Sequence, residues 1–223
     1  NQKTKTFEDQ RDGQVYHYVK IGNQVWMAEN LNTAFFRNGD SIKHVKTNKE
    51  WRIAGANQKP AWCYYRSEST NDKYGKLYNW YAVNDPRGLA PEGWHIPSDK
   101  EWKTLEKELG MSENYTERNA YNRGTNKGSK LASNKELWKY KSWHDNAVVL
   151  NETFNSTGFN AVPAGFRNGL DGISKSKGYR AYFWTSTPSS ENHAWYRRIC
   201  STTQGIGRLH LSKSSGFSVR CIK

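Results

Sequence analysis

The stretch GWHIPSDKEWKTL, residues 93–105, decides how the chain is read, because it crowds a histidine, a proline and two acids into one place. Ser98 followed by Glu101 is the S-x-x-E capping box: the serine oxygen accepts from a first-turn backbone N–H, and the glutamate reaches back to the serine N–H. Trp102, Leu105 and Leu109 recur at i, i+3, i+7, and Gly110 supplies a stop. The spacing predicts an amphipathic helix over 99–109. Asp99 and Glu101 suit a helix dipole and need no catalytic role, each contributing about 0.5–1 kcal/mol. His95 reads as a core or hinge histidine bonded to backbone rather than as a general base.

Working outward, residues 15–28 alternate around Gly22-Asn23 and predict two antiparallel strands joined by a tight turn. Residues 33–60 are irregular and basic and read as a long surface excursion. In KLYNWYAVN (76–84), Leu77, Trp80 and Tyr81 have helical spacing, and Asp85-Pro86 closes a short first helix. Residues 111–160 read as loop, with one helical turn near GSKLAS and an aromatic cluster at Trp138, Tyr140 and Trp143. After Pro163 come short aromatic and β-branched runs separated by Gly, Ser and Pro. In GRLHLSK, Leu209 and Leu211 point one way while Arg208, His210 and Ser212 point the other, a strand with a wet cationic face. Strands and helices segregate, so the fold class is α+β with short antiparallel strands, two main helices and long irregular loops. With 223 residues and no linker, one domain over 1–223 is expected.

Ten Trp, thirteen Tyr and eight Phe, with few aliphatics, demand a largely aromatic core. The longest apolar run, Ala147 to Leu150, is far short of the ~20 residues that span a bilayer. The polar start NQKTKTFEDQ reads as a mature or trimmed one. Cys63, Cys200 and Cys221 form no CxxC pair, and the six histidines lack ligand spacing, so neither a metal nor a cofactor is expected. The net charge is +13, and +8 of it lies in residues 161–223, a field that attracts polyanions.

DGQVYHYVKIGNQVWMAENL, YGKLYNWYAVN, PEGWHIPSDKEWKTL, GSKLAS, GFNAVPAGFRN, FWTSTPSS, AWYRRI and SKSSGFSVRCIK together, in this order from about residue 9 to 223, resemble the Fibrobacter succinogenes major paralogous domain. The resemblance implies a C-type lectin-like fold related to the formylglycine-generating sulfatase-modifying family, in exported surface proteins and lipoproteins of Bacteroidota and Fibrobacterota. It implies adhesion or glycan binding at the outer-membrane surface or outside the cell, with any lipid anchor beyond these residues. The family's cysteine before the proline of PxGWHxP is Ala90 here, so Cys221 lacks the partner the resemblance would supply. A bridge between Cys200 and Cys221, on neighbouring predicted strands, is one replacement; Cys63 to Cys221 is another.

Glycan binding needs aromatic faces for sugar rings, planar polar groups for hydroxyls, and cations where the sugar is sulfated or a uronic acid. The candidate ligand residues are Trp138, Trp143, His144, Arg167, Asn168, Tyr179, Arg180, Arg198, Arg208 and His210. Trp26, Trp80, Trp94, Trp102, Trp184 and Trp195 are assigned to packing. Oxidation of the formylglycine-generating type needs reactive paired cysteines, and Cys200, beside Arg197 and Arg198, has no second cysteine near it in sequence. No enzyme is expected. No helix-turn-helix, zinc-finger or RNA-recognition signature accompanies the positive charge, so nucleic acid is not the expected partner. The reading is a non-catalytic surface protein that recognises a glycan, acidic or sulfated; the alternative is a protein-binding adhesin or assembly subunit. Asp40-Ser41-Ile42 resembles the short acceptor pattern for O-glycosylation in Bacteroidota, on Ser41.

Overall fold

A computed structural model describes residues 5–67, 72–139 and 147–223. Among these the chain is α+β, with thirteen strands in three sheets and six α-helices, two of them long. The first sheet is β1 (Lys5–Asp9), β2 (Gln14–Ile21) and β3 (Gln24–Met27), antiparallel in that order. The Gly22-Asn23 turn joins β2 to β3 as the sequence suggests, with Gly22 at φ 58°. Strand β1, outside the two expected strands, pairs along β2 from Lys5 opposite Tyr18 to Asp9 opposite Gln14.

The next elements are β4 (Lys43–His44), α1 (Asn48–Ala56), β5 (Ala61–Cys63), β6 (Leu77–Asn79), α2 (Trp80–Val83), α3 (Asp99–Glu108), α4 (Glu113–Glu117), β7 (Ala120–Arg123), α5 (Lys127–Leu131) and α6 (Ala147–Leu150). Then come β8 (Phe166–Arg167), β9 (Ser174–Lys175), β10 (Arg180–Pro188), β11 (His193–Cys200), β12 (Ile206–Ser212) and β13 (Gly216–Phe217). The six-stranded sheet runs β4-β5-β6-β13-β8-β9, and the four-stranded sheet runs β10-β11-β12-β7. No helix among the described residues is long and apolar enough to cross a membrane.

Three expectations from sequence are corrected. Residues 33–60 are no loop excursion: Thr47 Oγ1 accepts from Glu50 N (3.1 Å) while Glu50 Oε2 accepts from Thr47 N (2.9 Å), the capping box that starts α1. Leu77–Asn79 form a strand rather than the start of a helix, because all three residues are buried and Tyr78 pairs with both Trp62 and Phe217. A central strand buried on both faces loses the alternation that would betray it. The 111–160 region holds more than the one expected turn near GSKLAS, which is α5: it also carries α4 and α6, and its β7 closes the edge of the four-stranded sheet through Ile206 opposite Arg123.

Helix α3 has the cap the sequence promises, with Ser98 Oγ accepting from Glu101 N (3.2 Å) and Glu101 Oε2 from Ser98 N (2.7 Å). Its Trp102 and Leu105 are fully buried, and Trp102 packs on Trp26 at 5.0 Å between ring centroids. The core is aromatic as composition requires: Trp184 lies 4.2 Å from Phe217, and Phe7 stacks on Trp94 at 4.5 Å. His95 differs from expectation. Its backbone exchanges two hydrogen bonds with Ile222, but its ring is half-exposed and meets Glu101 at 2.6 Å.

Candidate ligand cleft

The cationic face expected on β12 is wet only in part: His210 is exposed, but α3 lies over Arg208. Arg208 is 7% exposed and grips Asp99 with two hydrogen bonds, Nε to Oδ1 (2.9 Å) and Nη2 to Oδ2 (2.8 Å). Arg197 bonds Asp99 (2.7 Å) and Glu106 (2.6 Å), and Arg123 of β7 holds both oxygens of Glu106 (2.6 and 3.0 Å). Burial opposes ionisation of Asp99, yet the Arg208 and Arg197 guanidiniums hold its carboxyl well below the usual carboxylate range. These arginines weld a helix to a sheet and are not ligand contacts.

Other candidates move inward too. Trp138 is buried and donates to Ser133 O (2.9 Å). Arg198 is buried, donates to Tyr121 O (3.1 Å) and lies 4.7 Å over the Tyr121 ring. Arg167 is buried among backbone carbonyls, and Asn168 spends its Oδ1 on the N–H of Leu170 (2.7 Å) to build a turn. Tyr179 and Arg180 are half-buried, and His210 is exposed with its ring 5.4 Å from that of Trp195, which is only half-buried. Trp143, His144 and Tyr140 lie outside the described residues. Ser41 is exposed, in an isolated bridge with Phe35.

No disulfide joins the cysteines: all three are free and buried. Cys221 belongs to the aromatic core, where burial pushes its thiol up to about 12, and burial raises that of Cys63 on β5 to about 11. Cys200, at the end of β11, hydrogen-bonds Thr202 Oγ1 (3.3 Å) instead of facing another sulfur. Burial raises its thiol, but Thr202 and Arg180 bring it below its ordinary value; its sequence neighbours Arg197 and Arg198 are engaged elsewhere. Among the described residues no group of three His, Cys, Asp or Glu side chains could hold a metal ion.

An open cleft of about 800 Å³ lies against α1. One wall is α1, whose Lys49, Arg52, Ile53 and Ala56 fall on one face while Trp51, Ala54 and Gly55 pack inward. Tyr81 of α2 and the turn at Gly169-Leu170 form further walls, and Asn192, Ser212 and Ser214 complete the lining. A Cβ on Gly169 would sit 2.1 Å from Ser214 Oγ, and one on Gly172 2.5 Å from Asn48 O, so both glycines let the turn press between α1 and the Ser214 loop. Trp51 Nε1 locks that loop through Ser214 O (3.0 Å). Leu170 (88% exposed) and Ile53 (49%) leave apolar surface at the mouth. Among the described residues no carboxylate lines the cleft.

The sequence search pointed beyond residue 138, whereas half of this lining comes from α1 and α2. The signal for α1 was present as Thr47-x-x-Glu50 before Trp51. Residues 19–223 match the family model described as the Fibrobacter succinogenes major domain. No curated protein and no solved structure matches the chain.

Proposed function

We propose that this chain, which belongs to the Fibrobacter succinogenes major domain family, is a non-catalytic surface protein that captures a glycan in the α1–Leu170 cleft. The observation that carries this reading is the composition of one rigid concavity. Tyr81, Ile53 and Leu170 offer apolar contact for sugar C–H faces, Asn192, Ser212 and Ser214 offer hydrogen bonds to hydroxyls, and Lys49 and Arg52 add positive charge. A C-type lectin-like relationship and display outside the cell are parts of the same reading; the family resemblance and the α+β layout support them.

Calorimetric titration with a panel of neutral, uronic and sulfated oligosaccharides at two salt concentrations tests it. Binding by at least one glycan is expected, weakened tenfold or more by Tyr81→Ala. If no glycan binds and cell-envelope pull-down returns a protein, the chain is a protein-binding adhesin instead. Random DNA binding more tightly than every glycan, with a steeper salt dependence, would make nucleic acid the partner.

A further inference from the structure

We propose that the pocket next to the cleft, floored by Arg167 and walled by Lys46, Asn48, Arg66 and Ser174, takes a sulfate or carboxylate group carried on the bound glycan. The inference rests on the glycan reading and names the ligand's chemical class. The two sites adjoin: Asn48 lines the pocket and Lys49 the cleft, while Ile173 and Leu170 of one turn do the same. A chain crossing the exposed Leu170 ridge would touch both.

The pocket has about 300 Å³, room for one oxyanion and its neighbouring sugar atoms. Among the described residues, three of its lining side chains are cations and none is an acid. Among the described residues, the neighbouring carboxylates have other work, Glu50 in the α1 cap (2.9 Å to Thr47 N) and Asp171 on Lys175 (2.7 Å). Arg167 is 1% exposed, yet among the described residues it meets neutral groups: Gly172 O (2.8 Å), Asn48 Oδ1 (3.1 Å), Val45 O and Lys46 O at a long 3.4 Å, and the buried Cys63 thiol. A guanidinium taken out of water and met by neutral groups lacks its counter-charge.

Arg220 shows that this fold can bury a guanidinium on neutral groups alone, through Asn30 Oδ1 (2.8 Å), Met27 O and the Phe159 ring. The difference is access: Arg220 lies in the sealed interior, whereas Arg167 forms the floor of an open cavity beside two further cations. Arg66 adds an independent sign. It holds a left-handed backbone (φ 53°, ψ 22°), a conformation disfavoured for a residue with a side chain, and Ser174 Oγ fixes it there by accepting its N–H (3.1 Å). Strain of this kind concentrates where a side chain must be held for a ligand.

The test uses the whole chain with three probes: inorganic sulfate against chloride at equal ionic strength, a neutral galactan oligosaccharide, and its sulfated and uronic counterparts. Sulfate is expected to shift the backbone amide resonances of Arg66, Gly172 and Ser174 saturably, and a charged glycan to bind at least tenfold more tightly than the neutral one. Arg66→Asn with Lys46→Gln should bring the charged glycan down to neutral affinity without Arg167, a core residue, being touched. The ratio of sulfated to uronic affinity assigns the oxyanion. Equal binding of neutral and charged glycans, or a charged-glycan affinity unmoved in the double variant, overturns the pocket while leaving the glycan reading standing. Saturable sulfate shifts with no glycan bound overturn the glycan reading and, with it, the ligand named for the pocket.

Discussion

Two sets of arginines in this molecule carry the same charge and do opposite things. Under α3, Arg123, Arg197 and Arg208 converge on Asp99 and Glu106, every contact short and the whole group sealed. Around the Asn168–Gly172 turn, Lys46, Arg66 and Arg167 share an open pocket whose described lining holds no acid. Charge that finds its partner inside the fold is architecture. Charge gathered at a surface opening, where a solute can reach it, is what a ligand can answer.

The sharpest way to break that contrast is Asp99→Asn. It keeps the side-chain shape but leaves Arg208 and Arg197 buried against a neutral amide, and removing one partner of a buried ion pair costs about 3–5 kcal/mol. Urea unfolding should show that loss without a change in m-value. A cost below about 1 kcal/mol would mean that the network is not what pins α3 to the sheet.

Acid should attack the same place. Asp99 has a folded-state pKa held below that of an unfolded aspartate, about 3.9, so the unfolded chain takes up the proton first as pH falls. Its contribution is complete above about pH 5 and is lost as pH drops through 4 toward the folded value. The urea midpoint should therefore fall between pH 5 and pH 2, and fall less steeply in Asp99→Asn. The described lining of the open pocket holds no carboxylate to add to this dependence.

What could be read in advance follows from the range of the forces. Local rules identified α3, its Ser98 cap and the Gly22-Asn23 turn, because each is fixed by residues a few positions apart. Leu77–Asn79 misled because burial on both faces erased its period, and β7 was hidden because its partner Ile206 stands more than eighty residues away. The site was half-legible: Arg167 and Asn168 do belong to the pocket and the turn beside the cleft, and the acidic or sulfated ligand now has a specific place to be tested. Arg198, Arg208 and Trp138 were misplaced because a sequence shows a charge or a ring but not whether Tyr121 O, Asp99 or Ser133 O is waiting for it.

The smallest effect is the most discriminating. Arg66→Asn removes one cation from the open pocket, as Arg208→Gln would remove one from the sealed network, so the two substitutions differ chiefly in where the charge stood. Arg66 is exposed, and its observed anchor is a backbone N–H bond to Ser174 that an asparagine keeps. Asparagine also tolerates the left-handed backbone better than arginine does, which offsets any lost packing over the Tyr65 ring. Unfolding free energy should change by less than about 0.5 kcal/mol, the range for a surface substitution. A loss above about 1 kcal/mol would place Arg66 among the structural arginines and erase the contrast between balanced and unbalanced charge.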